Sequence, residues 1–205
     1  MKMNLVKRAK NILLTPKSEW AVIKGEQLSI SGMFTKYAMI LAAIPALAGF
    51  IGYSLVGVSI PFFGNFRYPV VRGLIWALLT YILSLAGAFV LALIVDNLAP
   101  SFGAKKDMVA SVKAVVFAYT ASWIGGIFAI FPSLSMLAAL FGIYSLILLW
   151  MGMKLLKEVP SNKMVGYFVV TLIAAIAIFF VIGLIVSSVA LGGGAAAGVF
   201  GNPAL

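Results

Sequence analysis

Neither cysteine nor histidine occurs among the 205 residues. Their absence excludes disulfides, thiol catalysis, the usual transition-metal ligands and every Ser-His or Cys-His arrangement. Acidic residues number only five, too few for a carboxylate-rich metal cage, and no cofactor is expected. Charged residues of both signs make up 10% of the chain, against about 25% in a soluble domain. There is too little polar side chain to cover a water-facing surface. What fills the chain instead is apolar: 63% of the residues are hydrophobic and the mean hydropathy is +1.15. The composition is that of an all-α polytopic membrane protein.

Runs without charge mark the spans. A helix needs about 20 apolar residues to cross a ~30 Å hydrocarbon core. Thirty uncharged residues separate Lys36 from Arg67, and 23 separate Arg72 from Asp96; these place span one at 37–58 and span two at 73–95. Forty lie between Lys113 and Lys154, about twice what one crossing needs. Pro132 falls near their middle, lacks a backbone N–H, and predicts a helical hairpin with spans at 112–131 and 133–153. The uncharged run after Lys163 predicts span five at 165–191. The five spans form one membrane domain over 37–191, preceded by a leader, 1–36, and followed by a Gly- and Ala-rich flexible tail, 192–205.

With the N-terminus inside, 13 of the 15 Lys and Arg residues fall in the leader and the loops near 96–113 and 154–164. Arg67 and Arg72 alone fall outside. This asymmetry predicts a cytoplasmic N-terminus and an extracytoplasmic C-terminus. It also accounts for the net charge of +10 without nucleic acid, because the positive residues flank spans instead of building one basic face. Anionic headgroups are the expected electrostatic partners. Ala46-Leu47-Ala48 imitates a signal-peptide cleavage site but sits inside a longer apolar run, so span one is expected to remain uncleaved.

In the leader, Leu5, Val6, Ala9, Ile12 and Leu13 recur at helical spacing, opposite Lys7, Arg8, Lys10 and Asn11. Such a helix can lie in the headgroup region with its apolar face down. Thr15-Pro16-Lys17-Ser18-Glu19 reads as a second helix start, with Pro at its first position and an acid at the positive end of its dipole. Lys7, Arg8, Lys10 and Trp20 are the expected interfacial residues.

Small residues recur in steps of four: Ala114, Ala118, Ser122 and Gly126 in span three, and Ser84, Ala88 and Ala92 in span two. They are expected to let helix backbones approach closely, the alternative being that they line a pore or substrate groove. No charged residue falls at mid-membrane. Asp96, at the mouth of span two, is the acid nearest a transport route, but it is expected to be a solvated carboxylate near Lys105 or Lys106. Tyr81, Tyr119 and Tyr144 would line any hydrophilic cavity.

The order of these features resembles the Yip family of five-span membrane proteins, most closely its small bacterial inner-membrane branch. The resemblance rests on ILLTPKSEWAVIKGE in the leader, AAIPALAGFIG in span one, and FAYTASWIGGIFAIFPSLSMLAALFGIYSLILLWMGMKLL across the hairpin. It implies an N-in, C-out five-helix fold in the inner membrane. Eukaryotic members associate with Rab GTPases; this chain lacks their long acidic domain and their Asp-Leu-Tyr-Gly-Pro type motif, so that partner is not carried over. The expected function is that of a non-enzymatic protein that organises protein partners, further copies of itself or lipids. The alternative is a small transporter, channel or lipid-translocating protein. An enzyme is not expected, because no acid–base or metal constellation is present.

Overall fold

The computed structural model of the protein describes residues 4–60 and 64–190. The expected tail, 192–205, and the last residue assigned to span five lie outside the described residues. Two leader helices, α1 (Leu5–Leu14) and α2 (Pro16–Gly25), precede five helical segments long and apolar enough to cross a membrane. These spans run Ile30–Val56, Val70–Phe102, Met108–Ile130, Met136–Leu156 and Ser161–Ser188. Two three-residue strands, β1 (Val58–Ile60) and β2 (Gly64–Phe66), pair antiparallel in the link between spans one and two. The protein is an all-α polytopic membrane protein.

Two span starts fall outside the uncharged runs because side-chain caps start helices earlier than hydropathy does. Ser29 accepts the Gly32 N–H at 3.1 Å and opens span one at Ile30, so Lys36 lies within the span. The Asp107 carboxylate accepts the Ala110 N–H at 2.9 Å and opens span three at Met108, which brings Lys113 inside as well. Each cap satisfies one of the donors that a helix start leaves free.

Span three is interrupted. Its first helix ends at Ala118, a second covers Thr120–Gly125, and a tighter turn covers Gly126–Ile130. At the break the Ser122 N–H donates to Ser145 Oγ of span four (2.9 Å) instead of continuing the helical ladder. Pro132–Leu134 forms a short 3-10 turn that carries the chain into span four, where the proline was expected to break the run.

Span two packs on span five, span three on span four, and span one on spans two and three. Two glycines set the approach of span one to span three. A Cβ on Gly126 would collide with Pro45, and one on Gly52 would collide with the backbone carbonyl of Ala129. Pro45 itself is held inside the helix Met39–Phe50.

We expect Gly52→Ala and Gly126→Leu to lower the melting temperature in detergent, since overpacking costs about 1–3 kcal/mol. Gly183→Leu, where an added Cβ meets nothing within 4 Å, should melt like the wild type. Unchanged melting of both first variants would show that spans one and three do not pack this closely.

Candidate functional site: the leader cap and the apolar groove

The leader folds back onto one end of the bundle. Its anchor is Arg8, which turns inward from α1 and is buried. One guanidinium nitrogen donates to Glu19 Oε1 and the other to Glu26, each at 2.5 Å. Asn11 Nδ2 holds the second oxygen of Glu19 at 2.9 Å, and the guanidinium lies 5.4 Å above the ring of Phe117 in span three. A cation between two carboxylates and over an aromatic face has its charge balanced as a buried charge requires; the Arg8 Nε is buried without a partner among the described residues.

Lys113 completes the cap. Its ammonium reaches out of span three to the Ile23 and Glu26 carbonyls, at 2.9 and 2.6 Å. Those carbonyls belong to the end of α2, where orphan acceptors and the negative end of the dipole favour a cation. Trp20 is 1% exposed; its ring fills the slot above Gly152, where a Cβ would come within 2.7 Å of it, and meets Phe117 edge-on at 6.5 Å. Tyr37 and Thr120 share a buried hydroxyl–hydroxyl bond of 2.7 Å nearby. Tyr144 of span four donates to the Leu13 carbonyl at the end of α1 (2.7 Å). At the rim, Lys24 pairs with Glu158 at 2.6 Å. That hydrogen bond and charge hold the Glu158 carboxyl below its ordinary range, so the contribution of the pair is present above the ordinary carboxylate pKa and is lost as pH falls through the lowered one.

Asp96 belongs to a second buried network at the same end. Its Oδ1 accepts from Lys157 Nζ at 3.0 Å and from the Asp107 N–H at 2.8 Å, with the Ser111 hydroxyl at 3.1 Å. Lys157 also reaches Ser111 Oγ (3.0 Å) and the Asp107 carbonyl (3.2 Å). Side-chain exposure is 0% for Lys157 and 13% for Asp96. The expectation of a solvated carboxylate beside Lys105 or Lys106 is therefore corrected: Lys106 bonds Asn97 instead. The cluster joins the ends of spans two, three and four.

Beyond these polar layers, a cavity of about 670 Å³ lies among spans two to five. Tyr119, Ser122 and Trp123 of span three and Thr80 and Ser84 of span two line it with Pro45 of span one, Ser145, Phe179 and aliphatic residues of spans four and five. Trp123 Nε1 donates to Ser84 Oγ at 3.0 Å, and the Ser122 and Ser145 hydroxyls pair at 2.8 Å, which quenches most of the polarity of the wall. Thr80 Oγ1 is buried without a partner among the described residues.

The anticipated residues thus separate into different places. Lys7 and Lys10 are exposed on α1, whereas Arg8 and Trp20 face the protein and not the headgroups. The reason is electrostatic for Arg8, whose two carboxylate partners lie on α2 and at its C-terminal cap, and steric for Trp20, whose slot is opened by Gly152. Ala114, Ala88, Ala92 and Gly126 are buried between helices, while Ala118, Ser122 and Ser84 sit on the cavity wall. Tyr81, Tyr119 and Tyr144 do not converge: only Tyr119 lines the cavity, Tyr144 serves the leader, and Tyr81 packs against the core. Lys113 and Lys157 were missed, since a lysine at a span edge reads as a topology signal. Among the described residues no group of three or more Asp or Glu gathers in a metal-binding cluster.

Five apolar spans under a folded N-terminal cap define a multi-pass membrane protein. The chain belongs to the Yip1 domain family, whose profile matches residues 10–197. It is similar to the inner membrane protein YohC of Escherichia coli strain K12 and to the YohC of E. coli O6:H1 strain CFT073. Each is 28% identical over 149 residues, which cover 71% of this chain and 73% of the relative. With the five apolar helices, this likeness supports a multi-pass inner-membrane location. No solved structure matches the chain.

Asp96→Asn leaves the Lys157 ammonium buried without its counter-charge, and breaking such a pair costs on the order of 3 kcal/mol. We expect a clearly lower melting temperature in detergent, partly recovered in Asp96→Asn/Lys157→Met, where the orphan charge is gone. Wild-type melting of the single variant would mean that Lys157 is solvated.

Proposed function

We propose that the protein is a non-enzymatic organiser of the inner membrane, which gathers lipids or protein partners at its cytoplasmic face. One observation carries this reading. The face of α1 opposite Arg8, Ala9 and Ile12 leaves Val6, Lys7, Lys10 and Leu14 exposed, and Lys17 of α2 is exposed beside it. Basic and apolar side chains mixed on one surface suit contact with anionic headgroups. The buried Arg8 and Lys113 contacts fix that surface on the bundle, so it meets its partners already ordered and loses little entropy on binding. The excess of Lys and Arg at the leader end supports a cytoplasmic N-terminus.

The alternative of a transporter, channel or lipid-translocating protein draws on the cavity. Its largely aliphatic lining suits an apolar chain better than an ion, which needs charges or carbonyls along its path.

The test is crosslinking in native membranes from photoreactive residues placed at Val6 and Leu14, both exposed on that face of α1. The expected result is a reproducible adduct with a membrane protein or an anionic lipid, lost when Lys7, Lys10 and Lys17 are all changed to Glu. Adducts insensitive to that charge reversal would overturn the proposal.

A further inference from the structure

The cavity among the spans raises a question separate from the cap: what fills it in a membrane. Spans four and five meet where the rings of Trp150 and Phe168 touch edge-to-face at 5.1 Å, and they share few contacts elsewhere. Away from that point the cavity opens sideways. Ile143, Ile176 and Phe179 stand at its margin and are 58%, 59% and 51% exposed. All three lie within the spans, so the medium at the opening is hydrocarbon. An apolar cavity of this kind is not a stable site for water, which needs several polar partners.

The geometry points to a binding site for one acyl chain of a bilayer phospholipid in this groove. Its dimensions select that occupant. The lining runs from Leu149 to Ala139 along span four and from Leu172 to Ile182 along span five, in each case ~15 Å at the rise of an α-helix. That is half of the ~30 Å hydrocarbon core, the depth of one leaflet. The volume of about 670 Å³ is within the range of sites for small ligands, about 300–1,000 Å³. A second copy of a helix, ~10 Å across, would need roughly 1,200 Å³ over the same length. The wall is mostly apolar, and the Ser84–Trp123 and Ser122–Ser145 bonds pair four of its polar groups, the Thr80 hydroxyl being left without a partner among the described residues. The site lies away from the leader helices and stands whether or not the cap engages headgroups.

Gly142 provides the test. It lines the groove, and an added Cβ there meets nothing within 4 Å, so Gly142→Phe fills the groove without disturbing the backbone. Gly183→Phe, equally free of contacts but outside the lining, is the control. After purification in mild detergent and native mass spectrometry, wild type and Gly183→Phe should retain about one phospholipid per chain, and Gly142→Phe should lose most of it at an unchanged melting temperature. In parallel, a phospholipid with a photoreactive acyl chain, reconstituted with the wild-type protein, should label Tyr119 and Ser122 on the groove floor; this arm does not depend on any variant folding. Equal retention by the two variants, no retention by the wild type, or labelling confined to the outer faces of the spans would overturn the proposal. So would loss of the lipid in Thr80→Val, which would require a ligand with a polar group at mid-depth, or a dimer in detergent that Gly142→Phe dissociates.

Discussion

The placement of Arg8 between Glu19 and Glu26 is the constraint on which the leader end of the molecule depends. Two helices of ten residues each are too short to be stable alone in water, where about 12–15 residues are marginal. They persist because a buried cation draws Glu19 of α2 and Glu26 at its C-terminal cap toward α1 and sets the pair against Phe117. A buried ion pair adds little net stability compared with an apolar replacement, but it tolerates few alternative geometries. Its effect here is on position: Trp20 can enter the slot above Gly152, and Lys113 can reach the end of α2, only when α2 lies where Arg8 holds it.

The rest of the molecule follows a division between a polar end and an apolar middle. At the leader end spans two, three and four are tied to the leader or to one another by charge or hydrogen bond, through Lys113, Tyr144 and the Asp96–Lys157 cluster. Deeper in the membrane the ties are close backbone approaches at Gly52 and Gly126 and paired serines. There, without a hydrophobic driving force between helices, packing density and hydrogen bonds supply the attraction. Spans four and five depart from this pattern. They separate beyond Trp150 and Phe168, and the space between them is lined for hydrocarbon.

Much of this architecture was legible in the residues. The five spans follow from hydropathy because the bilayer imposes a length that few other structures require, and Pro132 marks the hairpin because it cannot donate to a helix ladder. Exact starts were less legible, because Ser29 and Asp107 act as caps through local geometry and not through hydropathy. The site residues were the hardest. Helical spacing put Arg8 on the polar side of α1 but could not reveal that this side meets an acid of the next helix and another at its C-terminal cap. Lys113 and Lys157 look like flanking charges because positive-inside topology explains them adequately. In the small-residue stripes, periodicity places Ala114, Ala118, Ser122 and Gly126 together, yet only tertiary packing separates those that touch a helix from those that border the groove. Gly142, outside every stripe, faces open space.

The docked leader is tested most directly by amide hydrogen exchange on the full chain in lipid nanodiscs, wild type and Arg8→Met. Docking predicts that amides of α1 and α2 exchange slowly in the wild type, as those of the adjoining spans do, because opening the cap requires unpairing buried charge. In Arg8→Met both leader helices should exchange much faster while spans two and five are unchanged. Exchange of the wild-type leader at the rate of an unstructured peptide, or protection that Arg8→Met leaves intact, would contradict the account.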